Sequence, residues 1–207
     1  MLKRRTGIIL LTLLFVTGLA GTLSDNTLSK AEKKSAISLM KDTYKDATGA
    51  TKGLSEAQLN YKAGPDKWSV KECFFHIAAT EKFLWTMFEG AMKTPANPEK
   101  RAEIKVTDEQ VINMVEDRSK KAQAPEPIQP KNTGYSSLAE VLIDFKTSRM
   151  NHIKYMKNTT EDLRNHVVKL PVGWIDCYQL YLFIAAHSNR HTQQMKEVKA
   201  NPGFPAK

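Results

Sequence analysis

Apolar residues return every three or four positions along most of the chain, and nowhere do they alternate with polar ones over a useful length. Val70, Cys73, Ile77, Leu84 and Phe88 fall on one helical stripe. Leu138, Val141, Leu142, Phe145, Ile153 and Met156 form another, and Leu180, Phe183, Ile184, Met195 and Val198 a third. The same device precedes each stripe. Ser29-Lys30-Ala31-Glu32, Ser69-Val70-Lys71-Glu72, Ser137-Leu138-Ala139-Glu140 and Asp176-Cys177-Tyr178-Gln179 all fit the capping box. In it a short polar side chain caps free N–H groups while Glu or Gln, three residues on, reaches back. Roughly twenty proline-free residues follow each box, and the nine prolines (65, 95, 98, 125, 127, 130, 171, 202 and 205) all lie outside these stretches. An interior proline costs a helix about 3 kcal/mol, so the separation marks four long helices.

Between the second and third helices runs a long connection, residues 90–136. Thr107-Asp108-Glu109-Gln110 opens a shorter amphipathic helix there, and the proline-rich Pro125-Glu126-Pro127-Ile128-Gln129-Pro130 follows. A long crossover lets successive helices run parallel, as some four-helix bundles require. The pattern therefore predicts an all-α fold: a four-helix bundle over residues 28–199 with a long crossover between helices two and three, then a short tail at 200–207. No internal repeat or second domain is evident.

Composition narrows the class. Of 207 residues, 41% are hydrophobic and 26% charged, which excludes a disordered chain, a collagen-like fibre and a polytopic membrane protein. The first twenty residues read as an export signal. Lys3-Arg4-Arg5 is a basic start, Ile8 to Val16 is apolar apart from Thr12, and Gly18-Leu19-Ala20 offers a small-x-small cleavage site. An uncleaved N-terminal anchor is the alternative, because residues 6–24 carry no charge. Cleavage predicts a periplasmic or extracellular protein without stable membrane insertion. The formal charge of +9 falls to +6 without Lys3, Arg4 and Arg5, and the lysines are scattered. No basic stripe interleaves with aromatics, so nucleic acid is not an expected partner.

Candidate chemistry rests on the histidines: His76, His152, His166, His187 and His191. His187 and His191 are one turn apart on the fourth helix, on a face shared with Leu180, Ile184 and Met195, so both point toward the interior. His76, between Cys73 and Thr80 on the second helix, also points inward. Three inward imidazoles on two helices can meet around one metal ion, and three nitrogens with an open fourth position is the pattern of a catalytic zinc site. Equally, a histidine on an apolar face is commonly a hydrogen-bonded core residue. The zinc-protease helix needs Glu beside its first histidine; Ser188 stands there, which excludes that enzyme type. His152 could add a ligand, and His166 falls in a loop after the third helix. Glu81 lies about one turn beyond His76, but its direction is not readable, so no general acid or base can be named.

Two segments carry a resemblance. Lys67-Trp68-Ser69-Val70-Lys71-Glu72-Cys73-Phe74-Phe75-His76-Ile77 is similar to the second-helix opening of the DinB-like family, where a Trp-Ser pair precedes a histidine by about eight residues. His187-Ser188-Asn189-Arg190-His191-Thr192-Gln193-Gln194 resembles that family's last helix, His-x-x-x-His-x-x-Gln, and Gly173-Trp174-Ile175-Asp176 suits the approach to it. The likeness covers roughly residues 30–199. It implies a divalent-metal site made by His76, His187 and His191, with zinc or nickel the expected ion. Gln194 is expected to hydrogen-bond within the bundle, and Trp68 to pack at the helix entrance. The resemblance also implies a homodimer as a common state, and a small-molecule substrate of unknown identity. Relatives include transferases and isomerases that use bacillithiol or mycothiol. Those thiols are cytosolic, so an export signal departs from that pattern, as does the proline-containing crossover.

Three readings follow: a metal-dependent hydrolase or thiol transferase, a non-catalytic metal- or ligand-binding bundle, and a structural bundle with core histidines. The two cysteines are expected to stay free. Cys73 lies about 4.5 Å along its helix from His76, and Cys177 about 18 Å from the midpoint of His187 and His191. If the histidines share a metal, the cysteines are offset by about 13 Å or more, whereas a disulfide allows about 7 Å between Cα atoms.

Overall fold

The computed structural model describes residues 27–121 and 123–206, so the signal segment assigned to residues 1–20 lies outside the described residues. The elements run in the order α1 (Lys30–Thr51), α2 (Glu56–Asn60), α3 (Val70–Met92), α4 (Asp108–Glu116), α5 (Leu138–Asn158), β1 (Val167–Leu170), β2 (Gly173–Asp176) and α6 (Cys177–Lys199). The crossover also holds 3₁₀ turns at Pro98–Glu103, Glu126–Ile128 and Pro130–Asn132. The four long helices are those marked by the sequence boxes. At Ser29, Ser69 and Asp176 both halves of the box are made, as they are at Thr107 ahead of α4. At α5 only half forms. Ser137 accepts from the Glu140 N–H, but Glu140 turns to the backbone N–H and hydroxyl of Ser136. A box the sequence reading overlooked, Ser55 with Gln58, starts the single-turn α2.

In the bundle, α1 and α3 each pack against both α5 and α6 and barely touch each other. Contacts along the helices give their directions. Phe145 meets Phe74, Arg149 meets Glu81, and His152 meets Trp85, so α3 and α5 run parallel, as the long crossover permits. Tyr178 of α6 bonds Glu32 near the start of α1, and Lys199 bonds Ala50 near its end, so these two are parallel as well. His76, early in α3, meets His191, late in α6, which makes that pair antiparallel.

The interior has two apolar halves. One gathers Met40, Leu84, Phe88, Met156, Tyr181 and Ile184, the other Ala47, Phe74, Ile77, Val141, Phe145 and Met195. On every long helix the residue between the halves is polar and buried: Thr43, Glu81, Arg149 with His152, and Ser188. A polar belt thus crosses the bundle at mid-height.

Between α5 and α6 the structure adds a hairpin that the hydrophobic pattern did not predict. β1 and β2 pair antiparallel from Val167 opposite Asp176 to Leu170 opposite Gly173. Four-residue strands are too short to show alternation. Gly173, at φ 118°, takes a backbone conformation closed to other residues and brings the chain out of the turn. The Asn97 side chain grips Val167 through both its N–H (2.8 Å) and its carbonyl (3.0 Å), tying the crossover to the hairpin. Both cysteines are buried and free, as expected, and burial pushes both thiols up, that of Cys177 to about 12. Among the described residues no helix is long and apolar enough to cross a membrane.

Candidate metal centre

The Ser69 box starts α3 so that Val70, Cys73 and Ile77 enter the core and His76, on the second turn, follows them inward. On α6, His187 and His191 stand one turn apart, opposite His76. The structure brings these three side chains together: one nitrogen from each lies within 4.8 Å of the others. His187 Nε2 and His191 Nε2 are 3.2 Å apart. His76 and His191 are buried, while His187 keeps some exposure. His152 and His166 do not join them. His152 stacks on Trp85 in the polar belt, and His166 Nδ1 donates to the Ala91 carbonyl (3.0 Å), partly buried rather than in open solvent.

Electrostatics keep the three rings neutral. Burial lowers the pKa of His76 despite its bond to a carbonyl. His187 is lowered well below the usual imidazole value by burial and then by His191 and His76. His191 is lowered likewise by burial and then by His76. A neutral imidazole offers one lone pair, and the partner of its other nitrogen decides which nitrogen carries it. For His76 that partner is unambiguous. Its Nδ1 lies 2.7 Å from the Ile128 carbonyl, which can only accept, so Nδ1 carries the proton and Nε2 is bare. The Thr80 hydroxyl sits 3.3 and 3.4 Å from the two ring nitrogens of His76, hydrogen bonds longer than the one to Ile128.

The residues fit a divalent cation. Three nitrogen donors converge, His76 and His191 make hydrogen bonds on the far side of their rings, and all three are of the type that zinc and nickel accept. Aromatic walls enclose them. Trp68 lies over His76 (ring centroids 4.8 Å apart) and stacks on His191 (5.7 Å), while Phe183 stacks on His187. Trp68 therefore packs at the helix entrance, as expected, and also forms one side of the site. Gln194 bonds within the bundle, its Oε1 lying 2.9 Å from His191 Nδ1. Sequence reasoning missed Ile128, which acts through its backbone carbonyl and so carries no side-chain signal.

Glu81, whose direction the sequence left open, points away from the histidines and into the belt. Its Oε2 accepts from Arg149 Nε (2.7 Å), and Arg149 also donates to the Met40 carbonyl, the Thr43 hydroxyl and the Ser188 hydroxyl. Glu81 Oε1 lies 3.0 Å from His152 Nδ1, a close contact without hydrogen-bond alignment.

Known proteins resemble this chain in sequence or in fold. The chain is 25% identical over 170 residues to the uncharacterized protein YuaE of Bacillus subtilis (strain 168), covering 79% of this chain and 96% of YuaE. Its fold matches that of YfiT from Bacillus subtilis with a TM-score of 0.59 at 14% identity, over 86% of this chain and 92% of YfiT. YfiT is described as a probable metal-dependent hydrolase with an unusual four-helix bundle topology. The sequence profile of the DinB superfamily matches residues 39–195, three quarters of the chain and all three histidines, and the chain belongs to that superfamily.

Proposed function

We propose that this chain holds one divalent metal ion, zinc or nickel, on His76, His187 and His191, and that it is a metal-dependent hydrolase. One observation carries the reading: one nitrogen from each of three imidazoles converges within 4.8 Å, where burial disfavours the charged rings. The description of YfiT as a probable metal-dependent hydrolase on the same fold supports it. A cation held by three nitrogens supplies a Lewis acid that makes water or a thiol acidic near neutral pH. The chain's own part is positional. The Ile128 carbonyl holds the proton on His76 Nδ1, and Trp68 and Phe183 limit water around the rings. A thiol transferase is the related chemistry, differing in the nucleophile. Export through the N-terminal segment, a small-molecule substrate, no nucleic-acid partner and a homodimeric state belong to the same proposal.

A second reading, non-catalytic metal binding, is favoured by one feature. The ligand cluster holds no carboxylate, and Glu81, the nearest in sequence to His76 on the buried side of α3, is committed to Arg149. Elemental analysis of untagged protein beside a His76/His187/His191 triple-alanine variant tests the metal. About one equivalent in the native protein and none in the variant is expected. Hydrolysis of a panel of ester and amide substrates by the metal-loaded protein, lost on chelation, then separates the hydrolase from the binding protein. No stoichiometric metal after reconstitution with Zn²⁺ or Ni²⁺ would return all three histidines to the core.

A further inference from the structure

We propose that Arg118, in the crossover, is a positioning residue that sets the tautomer of His191 by fixing the orientation of the Gln194 amide. The role in metal binding rests on the reading of the three histidines as a metal centre; the tautomer claim does not.

Arg118 follows the end of α4 directly, and that end is clamped. Arg190 of α6 donates to the carbonyls of Val115 (3.2 Å), Asp117 and Lys120 (2.5 Å), at the C-terminus of α4 where carbonyls lack helical partners. From there Arg118 reaches back to α6. Its Nε and Nη2 bind Glu197 at 3.0 and 2.6 Å, a two-point contact that fixes the guanidinium plane. Its Nη1 is thereby aimed at Gln194 Oε1, 3.3 Å away.

The chemistry of donors and acceptors does the rest. An amide can present either its oxygen or its NH₂ group to His191, and the two orientations fill the same space. A guanidinium has only donors. With Arg118 in place Gln194 must turn its oxygen toward the pair, and that oxygen is 2.9 Å from His191 Nδ1. Only a protonated Nδ1 satisfies it. The neutral ring then has a bare Nε2, the atom that faces His187 Nε2. Without Arg118 the amide is free to flip, offer its NH₂ to Nδ1 and stabilise the tautomer whose proton occupies the ligating nitrogen. Two of the three ligands are thus set by the crossover, His76 through the Ile128 carbonyl and His191 through Arg118.

The test has two readouts. In the metal-free protein, long-range ¹H–¹⁵N NMR of the imidazoles should show His191 protonated on Nδ1, and Arg118→Met should populate the other tautomer. Zn²⁺ affinity, from competition with a chromophoric chelator, should fall about tenfold in Arg118→Met, the usual size of an outer-shell effect. A carboxylate can only accept, so in a Gln194→Glu background the same substitution should cost less than about threefold. An Arg118 that merely tied α4 to α6 would lose the same affinity in both backgrounds, which overturns the proposal. So does an unchanged His191 tautomer in Arg118→Met. If the wild type binds neither Zn²⁺ nor Ni²⁺, the metal reading fails, and the metal-free NMR readout still decides the tautomer.

Discussion

Two polar clusters are buried between the same helices, α3 and α6, and they are built on opposite rules. In the belt, Arg149 is fully buried and spends its donors on three other helices, reaching Glu81, Ser188, Thr43 and the Met40 carbonyl. Charge is matched inside the protein, with Glu81 Oε1 and His152 Nδ1 the atoms of the belt left without an aligned hydrogen bond. At the histidines, the outer nitrogens of His76 and His191 are anchored while the inner ones converge on one another, His187 Nε2 and His191 Nε2 lying 3.2 Å apart. A charge-matched network stabilises a fold, whereas a set of converging nitrogens offers lone pairs that a cation can take up. On the reading proposed above, the difference assigns function to the histidines and architecture to the belt, although both look like buried polar residues.

The largest effect expected from this contrast is in the belt. Arg149→Met leaves Glu81 buried without its partner and should cost about 3–5 kcal/mol in urea denaturation. His191→Ala should cost the metal-free protein less, about 1–2 kcal/mol, since the bonds it loses, to Gln194 and His187, join neutral groups. If the histidine variant proved the more destabilised, the contrast would be wrong. Metal reverses the comparison. A free Zn²⁺ concentration one hundred times Kd should stabilise the wild type by about 2.7 kcal/mol and leave the His76/His187/His191 triple-alanine variant unchanged.

Acidification sharpens the same point. His76, His187 and His191 have folded-state pKa values below the ordinary imidazole value, because burial disfavours the charged ring. Between the lowered values and about 6.5 the unfolded chain therefore binds more protons than the folded one. Their contribution is complete above that range and is lost as pH falls. The urea midpoint of the metal-free wild type should drop on going from neutral pH toward pH 5, and the triple-alanine variant should lose much of that slope. Equal slopes would mean that the histidines already titrate normally in the folded chain.

How much of this was legible in the sequence differs between the two clusters. Helix starts are local, so Ser29, Ser69, Ser137 and Asp176 announced the four long helices within four residues each. The histidines were legible because two stand one turn apart on an apolar face and the third sits on another. Arg149 was not, since a lone arginine in α5 reads as a solvated residue and its partner Glu81 lies 68 positions away. Arg118 and Ile128 were invisible for a related reason: one acts through an amide 76 residues distant and the other through its backbone. The hairpin at Val167–Leu170 and Gly173–Asp176 was hidden by brevity alone. Short-range pattern gives elements and faces, while the pairings that close a belt or orient a ligand depend on how the elements are brought together.

The smallest effects compare two threonines that are almost equally buried, one in each cluster. Thr43 Oγ1 accepts from the guanidinium of Arg149 at 3.1 Å and donates to the Leu39 carbonyl at 2.8 Å, so both of its roles are used. Thr43→Val keeps the shape, removes the acceptor from a charged donor, and should cost about 1.5–3 kcal/mol. Thr80, on the other side, makes only long hydrogen bonds, 3.3 and 3.4 Å, to the nitrogens of His76. Thr80→Val removes a hydroxyl whose hydrogen bonds are long and join neutral groups, and should cost less than about 1 kcal/mol. Because Ile128 rather than Thr80 fixes the proton of His76, Zn²⁺ affinity should also stay within about twofold, against the tenfold or greater loss usual for removing an outer-shell partner. A large loss of Zn²⁺ affinity in Thr80→Val would show that the hydroxyl, and not the carbonyl, sets the His76 tautomer, and the histidine cluster would then be held from within α3 instead of by the crossover.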